Sequence, residues 1–412
     1  MPWSITELEA PMNPVVAFVV VMLVWTVSDF VAKKTQSLLS SLFVASIIFL
    51  IGFLSGIFPE DLLSSSSLLA LAGVVVGFII VHLGTMISLD DFKKQWKTLL
   101  VGIATVLGIG VALLVAGWVF GPRISGSTAD GYAQAIDFVV AGTGALSGGT
   151  ISVLIVQDAA LGVGLTNIAV FPVPIAALQG LIGFPLTSII LRKEAARLRD
   201  EYRAGNIEAV VVEEKDSAGT RLPDALTTTA GTLFVVGLVV LASLGINNLT
   251  NGVLNTFVVA LVFGITLRSL GIFKPSVLGG IDAFGLMMIA IMILVFGPLA
   301  TVEPSDVKAL AFPLLLAFVF GVAGIAGFSA LVGKLLGYSV PMSVAIGLTS
   351  LYGFPGTMIL SQEAAKGAGE TPEEVAAIEG QILPKMIVAG FSTVTITSVI
   401  VTSIIAGRIG TG

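Results

Sequence analysis

The chain has 412 residues, of which 56% are hydrophobic and only 11% are charged, and its net charge is −6 at pH 7. Soluble proteins carry roughly 25% charged residues, so a mean hydropathy of +1.04 excludes a large domain with a water-exposed surface. The sequence contains no cysteine, which excludes disulfide bonds and thiolate metal sites. This composition indicates a membrane protein.

Apolar runs along the chain are long enough to form membrane spans, because a bilayer core takes about 20 residues of helix. A first set of five lies near 14–32, 39–58, 67–88, 98–120 and 168–191. A second set of five lies near 225–246, 252–268, 277–300, 308–333 and 382–407. The sequence therefore predicts an all-α polytopic membrane protein with ten spans.

One segment in each set is interrupted by glycine and lies between the fourth and fifth runs, at about 133–164 and 340–370. At membrane depth such a backbone is tolerated only where it is buried or lines a cavity. We expect both segments to be re-entrant hairpins. The alternative is an ordinary helix that is softened by glycine.

The two interrupted segments also resemble each other. Residues Ala145–Gly164 align without a gap on Ser350–Gly369, at an offset of 205 residues. Identical pairs include Gly148 with Gly353 and Gln157 with Gln362. Half the chain length separates the two copies, which indicates an internal duplication. Its parts are repeat 1 at 1–191, a linker at 192–223 and repeat 2 at 224–412.

Positive charges predict the orientation of these repeats in the membrane. Lysine and arginine cluster in the loops after odd-numbered runs, at Lys33, Lys34, Lys93, Lys94, Lys97, Arg192, Lys193, Arg197, Arg199, Arg203, Arg268, Lys274 and Lys334. We therefore expect the linker to be cytoplasmic and both termini to be external, in a multi-pass protein of the cell membrane. An odd number of spans in each repeat turns the second repeat upside down relative to the first, which is inverted-repeat topology.

Motifs in both hairpins resemble those of the bacterial glutamate:sodium symporter family and its 2-hydroxycarboxylate-transporter relatives, over nearly the whole chain. The motifs are GTGALSGG at Gly142–Gly149, GLTSLYGFPGT at Gly347–Thr357 and the tail Ile382-Leu383-Pro384. The family follows its first glycine pair with a His-Gly-Thr-Gly type of sequence, whereas this chain has Thr150-Ile151-Ser152-Val153. The second tip also differs, with Phe354-Pro355-Gly356 where the family has more small hydroxylated residues.

The resemblance implies a bacterial homodimer that works by an elevator mechanism. Spans one and two and their repeat mates would form a dimerising scaffold, and the other spans a mobile core. Because the departures fall on the expected binding loops, the resemblance implies the fold and not glutamate as the substrate.

Exposed backbone and hydroxyl groups at the two hairpin tips are the expected binding groups, since helix N-termini favour anions and unwound carbonyls favour Na⁺. Glycine lets the backbone turn sharply and approach a ligand closely. The expected substrate-binding residues are Ser147, Gly148, Gly149, Thr150, Ser152, Ser350, Tyr352, Gly353, Gly356, Thr357 and Lys385. The expected ion-binding residues are Gly144, Gln157, Thr349 and Gln362.

Each of these candidates also has a structural interpretation. A hydroxyl can bond back to the preceding helical turn, and the two glutamines can satisfy the backbone of their own hairpins. Lys385 lies within the last span, where it either pairs with a substrate carboxylate or reaches back to the membrane surface. His82, the only histidine, is either a proton relay or a packed side chain.

The expected function is secondary active transport of a small organic anion, a carboxylate or an acidic amino acid, by Na⁺-coupled symport. The alternatives are a proton-coupled transporter or an exporter of the same fold, and then an ion channel. We expect no enzyme, because the chain has neither a P-loop nor an H-E-x-x-H motif. Apart from Na⁺ we expect no metal or cofactor, and no nucleic-acid partner. The expected surroundings are the lipid bilayer and a second copy of the chain.

Overall fold

The fold is all-helical in a computed structural model, which describes residues 12–87, 89, 93, 95–125, 131–207, 220–250, 254, 256–302 and 304–410. Within these ranges no residue lies in a β-strand. There, 7 helices are long and apolar enough to cross a membrane. The expected all-α class is therefore confirmed, and the architecture fits a polytopic membrane protein.

The described residues of the first half of the chain form nine α-helices. They are α1 (Pro14–Lys34), α2 (Ser41–Leu54), α3 (Leu62–Ser65), α4 (Leu68–Met86), α5 (Trp96–Ser125), α6 (Gly131–Leu146), α7 (Thr150–Gly162), α8 (Thr166–Val170) and α9 (Pro172–Arg203).

The described residues of the second half also form nine α-helices, with short 3₁₀ segments between some of them. They are α10 (Thr229–Leu249), α11 (Thr256–Ser269), α12 (Phe284–Ile293), α13 (Pro304–Ala309), α14 (Ala311–Leu335), α15 (Val340–Leu348), α16 (Gly356–Ala368), α17 (Pro372–Phe391) and α18 (Ser398–Ala406). A π-helical segment, Ser392–Thr397, joins α17 to α18.

Two of the ten expected spans, near 39–58 and 277–300, are shorter than the apolar runs suggest. Helix α2 has 14 residues, and α12 has 10 and is followed by a turn and the 3₁₀ segment Gly297–Thr301. At 1.5 Å per residue, a helix of this length covers at most about 20 Å of a core that is about 30 Å thick. Turn residues end these helices inside the apolar run. One is Gly56, whose φ of +71° follows the end of α2.

Both glycine-interrupted segments are pairs of helices separated by a tight turn. The first, hairpin 1, consists of α6 and α7 with the turn 147–149 between them. The second, hairpin 2, consists of α15 and α16, separated by the 3₁₀ turn Thr349–Leu351 and by residues 352–355. The turn of hairpin 1 contains Gly148 of its sequence motif, and the connection in hairpin 2 contains the matching Gly353.

Helix packing divides the molecule into two groups. In the outer group α1 packs on α2, and α4 packs on α10, α11 and α12. In the inner group α5 packs on α6 and α14, while α9 and the α17–α18 helix each contact both hairpins. The two groups meet where α9 packs on α2 and on the 3₁₀ segment after α12.

The helical part of the expected linker is continuous with α9 and is more than a solvated connection. Glu194 is buried and accepts a hydrogen bond from the Ser339 hydroxyl at 2.6 Å. Arg203 pairs with Glu374 in the first turn of α17, at 2.7 Å. The charged end of α9 is therefore bonded to the start of α15 and to the start of α17. Linker residues 208–219 and the chain ends 1–11 and 411–412 lie outside the described residues.

Candidate functional site at the hairpin tips

The tips of the two hairpins touch each other. Gly148 has a φ of +84° and Gly353 a φ of +58°, and L side chains rarely adopt this left-handed region. A Cβ built on Gly148 would lie 1.9 Å from the carbonyl oxygen of Ser350, which is a backbone atom of the other tip. Glycine at 148 thus allows the two main chains to meet.

Both tips also rest on the π-helical segment of the last helix. Side-chain atoms of Val394 lie 3.1 Å from a Cβ built on Gly148 and 3.2 Å from one built on Gly353. The Val394 carbonyl oxygen would lie 2.5 Å from a Cβ on Gly149. Single-turn π-bulges interrupt the regular i→i−4 bonding of a helix and are frequent at functional sites. The sequence motif at the tips did not point to this third element.

Hydroxyl groups connect hairpin 1 to the last helix. Ser398 is the hub: its Oγ lies 2.8 Å from Ser147 Oγ and also bonds Ser152 Oγ. Ser147 additionally donates to the carbonyl oxygen of Gly144 at 2.9 Å. Thr143 on α6 lies one helical turn before Ser147, whose N–H bonds the Thr143 carbonyl oxygen at 3.1 Å. Ser398 and Thr402 lie four residues apart on α18 and so share one helix face.

Several buried hydroxyl oxygens around the tips have no hydrogen-bond partner in the described part of the chain. They are Thr143, Ser350, Thr357, Thr393 and Thr402. An unsatisfied buried hydroxyl costs about 1–3 kcal/mol, and native structures contain few of them. Unpaired hydroxyls of this kind are available as oxygen ligands for a bound ion.

A cavity of about 140 Å³ opens on the opposite side of the tips, between the two helix groups. Gly148, Leu351 and Tyr352 contribute the tips, α9 contributes one wall, and Ser46 and Pro298 come from the outer group. A cavity of about 150 Å³ accommodates a molecule the size of benzene. Every lining residue is uncharged, so charge recognition would have to come from helix dipoles and polar groups.

Gln179 is the most polar group in this cavity. Its side chain is 7% exposed and its Oε1 atom has no hydrogen-bond partner among the described residues. The amide nitrogen makes only a long bond of 3.4 Å to the carbonyl oxygen of Ala176. An amide that is buried in a cavity wall with its oxygen unpaired is suited to bind a ligand.

Tyr352 supplies a second polar group and is held firmly. Its hydroxyl donates to Thr187 Oγ1 at 3.0 Å, and its ring packs on Phe184 with the centroids 5.3 Å apart. Gly183 and Gly356 make room for the ring, because a Cβ at either would lie within 2.8 Å of a Tyr352 ring carbon. The phenolic oxygen keeps its acceptor capacity for a neighbouring group.

The helix N-terminus of α7 lies at the same tip. Its N-cap residue is Gly149, which provides no side-chain cap. The first N–H groups of α7 therefore have no partner within the helix, and the helix dipole places partial positive charge there. Thr150 is the first helical residue, and its side chain lies outside the described part of the structure.

Other expected site residues lie away from the cavity or are bonded locally. The Thr349 hydroxyl donates to the carbonyl oxygen of Ile346 at 2.7 Å, which is the back-bonding alternative. Gln362 Nε2 lies 3.3 Å from Glu379 and so bonds hairpin 2 to α17. The Lys385 ammonium donates to the carbonyl oxygen of Gln381, one turn earlier in α17, and is absent from the cavity lining. Gln157 lies partly exposed, almost two turns into α7.

Sequence reasoning missed Gln179, Ser398 and Thr402, although each had a signal. Gln179 is the only amide in the apolar run 168–191, and polar side chains at membrane depth are often functional. The stretch Ser392–Ser398 reads STVTITS and is rich in hydroxyls. Both signals lie outside the duplicated motif.

No protein-family model matches the sequence, and no curated protein matches it.

Proposed function

We propose that the protein is a secondary active transporter of a small organic anion, coupled to Na⁺. The observation that carries the proposal is the contact between two broken-helix tips at a cavity on the boundary of two helix groups. Discontinuous helices of this kind form substrate and ion sites in many transporters. A cavity on such a boundary can be exposed to either side of a membrane when one group moves against the other.

The polar groups of the cavity support a small anion as substrate. The uncapped N-terminus of α7 would attract a carboxylate, and the Gln179 amide and the Tyr352 phenol offer further hydrogen bonds. Since the cavity holds about 140 Å³, a molecule of few heavy atoms fits best. A compact carboxylate or amino acid meets both conditions.

The hydroxyl cluster on the other side of the tips fits a sodium ion. Na⁺ prefers oxygen ligands such as hydroxyls and unwound carbonyls, and the buried unpaired hydroxyls of Thr143 and Thr402 flank the bonded serines 147, 152 and 398. No group of three or more His, Asp or Glu side chains suited to a metal is found in the described ranges. When bound, Na⁺ would supply positive charge close to the tips, and these residues would hold it.

Close contacts between the two halves support the proposed inverted repeats. Gly108 of α5 and Gly324 of α14 face each other reciprocally. A Cβ on the first would lie 2.6 Å from the second's carbonyl oxygen, and a Cβ on the second 2.2 Å from the first's. Reciprocal contacts between equivalent helices are what a two-fold relation produces. We propose that the scaffold comprises the whole outer group, including α4 and α12. We also propose that the charged end of α9 lies on the cytoplasmic side of the membrane.

A proton-coupled transporter of the same fold is the closest rival, and the histidine does not favour it. His82 is buried in the outer group, where its Nδ1 accepts the backbone N–H of Leu278 at 3.1 Å. Its ring packs edge-on against Phe284 with centroids 4.8 Å apart. These contacts fit the packed interpretation of His82.

The test is uptake by purified protein in proteoliposomes, with a panel of radiolabelled dicarboxylates, 2-hydroxycarboxylates and acidic amino acids. We expect at least one compound to show saturable uptake and counterflow under an inward Na⁺ gradient. Uptake that persists with K⁺ in place of Na⁺ and stops with a protonophore would favour the proton rival. Flux that neither saturates nor shows counterflow would indicate a channel.

A further inference from the structure

A second recess, the basic cleft, lies at the charged end of α9 and has a volume of about 520 Å³. Its walls come from both helix groups: the end of α1 and the following turn on one side, and α9 and the end of α16 on the other. Four cationic side chains line it, Lys33, Arg192, Arg199 and Lys366, against one carboxylate, Glu370.

Local ion pairs neutralise only part of this charge. Lys33 pairs with Asp29 at 2.7 Å, Arg199 with Asp200 at 3.2 Å, and Glu370 with Arg203 at 3.0 Å. For Arg192 and Lys366, no carboxylate of the described residues lies within ion-pair distance. Arg192 instead donates to the side-chain oxygen of Gln36 at 3.2 Å. The cleft therefore presents Arg192, whose charge no ion pair of the described residues offsets, and Lys366, whose charge the nearby Glu363 carboxyl group offsets in part.

The chemistry of these cations favours a phosphate group. The guanidinium fork of Arg192 can bind phosphate oxygens bidentately, and Lys366 adds a point charge from a second helix. Arg192 directly follows Leu191, the last residue of an apolar run, which places it at the level of lipid headgroups. Basic pockets between helices at this depth bind anionic headgroups.

We propose that the basic cleft binds the phosphate group of an anionic ligand, supplied by a membrane phospholipid. A ligand that bridges Lys33 and Gln36 on one side to Arg192 and Lys366 on the other would hold the two helix groups in the present arrangement. The two groups also touch directly beside the cleft, because a Cβ on Gly367 would lie 2.9 Å from the carbonyl oxygen of Gln36.

The experiment measures thermal unfolding of the full-length protein in detergent, with added phosphatidylglycerol, phosphatidylcholine or inorganic phosphate. We expect phosphatidylglycerol to raise the unfolding midpoint and phosphatidylcholine to leave it unchanged. Arg192→Gln and Lys366→Gln should each reduce this shift by about half or more. Each removes a positive charge that binds the phosphate, and the stabilisation by a ligand falls as its affinity for the folded state falls. An equal shift with inorganic phosphate would assign the same site to a soluble phosphate source.

The matched control is Lys193→Gln, which removes one positive charge at the same depth from an exposed residue outside the cleft. It should keep the full shift. If Lys193→Gln loses as much of the shift as Arg192→Gln, the lipid responds to the charge of the whole face and the proposal fails. Lys366→Gln keeps the test decisive if Arg192→Gln folds poorly, because in the described part of the chain the substitution removes no hydrogen bond of the Lys366 side chain.

Discussion

The two hairpins carry matching motifs but form their tips differently. Tip 1 is a three-residue turn of serine and glycine whose main chain touches the other hairpin, with Gly148 against Ser350. Tip 2 is longer and aromatic: Tyr352 packs on Phe184 and Phe354 stacks on Phe391 with centroids 5.4 Å apart. The first tip is therefore positioned by backbone contact, and the second by side chains that anchor it to its neighbours.

The difference shows that identical residues in a duplicated motif can carry different constraints. Gly148 and Gly353 share the left-handed conformation. A Cβ on Gly148 would collide with a backbone atom at 1.9 Å, whereas one on Gly353 would meet only the Val394 side chain, at 3.2 Å. Substitutions at the two glycines can therefore separate steric conflict from backbone strain.

The largest effect is expected for Gly148→Ala. The new methyl group forces the two tips apart, and overpacking of this kind costs about 1–3 kcal/mol in addition to about 1–2 kcal/mol of left-handed strain. Uptake in proteoliposomes should fall about tenfold or more, since each 1.4 kcal/mol is worth a factor of ten. Folded yield, measured by size exclusion, should fall much less.

Gly164→Ala is the matched control for this substitution. Gly164 also has a left-handed backbone, with φ of +76°, but a Cβ there would meet no atom within 4 Å. It should retain most of the transport activity. Equal losses from Gly148→Ala and Gly164→Ala would mean that contact between the tips is unimportant.

Ser398→Ala should have the next largest effect. The change removes the hydroxyl that bonds both Ser147 and Ser152, and leaving a buried partner unsatisfied costs about 1–3 kcal/mol. If this cluster holds Na⁺, the Na⁺ concentration for half-maximal uptake should rise several-fold. The value should stay unchanged in Ser243→Ala, which removes a buried, back-bonded hydroxyl of α10. An unchanged Na⁺ requirement in Ser398→Ala would show that this cluster does not bind Na⁺.

Gly353→Ala should have a smaller effect than Gly148→Ala. The main cost is left-handed strain of about 1–2 kcal/mol, because Val394 has a side chain that can give way. We expect a reduced but measurable rate of uptake. A loss as complete as that of Gly148→Ala would show that the two tips are equivalent after all.

Tyr352→Phe should have the smallest effect of the series. The ring contacts with Phe184 remain, and the loss is one hydrogen bond to Thr187, worth about 0.5–1.5 kcal/mol. Apparent substrate affinity should weaken only a few-fold in uptake assays. A loss of affinity of about a hundredfold would show that the phenol contributes much more than one hydrogen bond to substrate binding.

The local features of this site were largely predictable from the sequence. Both helix breaks coincide with the duplicated motif, and both Gly148 and Gly353 adopt the left-handed backbone that such turns need. Back-bonding of Thr349 was one of the stated alternatives, and the structure has that bond.

The long-range features were not predictable. The cavity joins Gly148 to Gln179, Ser46 and Pro298, which lie far apart in the chain and meet only through helix packing. Span lengths were misjudged at α2 and α12 because hydropathy records apolar composition and not the turns that end a helix. The role of Ser398 as a hub likewise depends on the π-helical segment, which no local pattern predicted.

The most direct test of the central claim, that the cavity at the hairpin tips binds the substrate, is protection of Gln179→Cys from a membrane-permeant thiol reagent. The chain has no native cysteine, so labelling reports this position alone, and Gln157→Cys on α7 serves as the control outside the cavity. A transported compound with Na⁺ should slow labelling of Gln179→Cys several-fold and leave Gln157→Cys unaffected. Equal labelling of Gln179→Cys with and without a compound that the same variant transports would contradict the account.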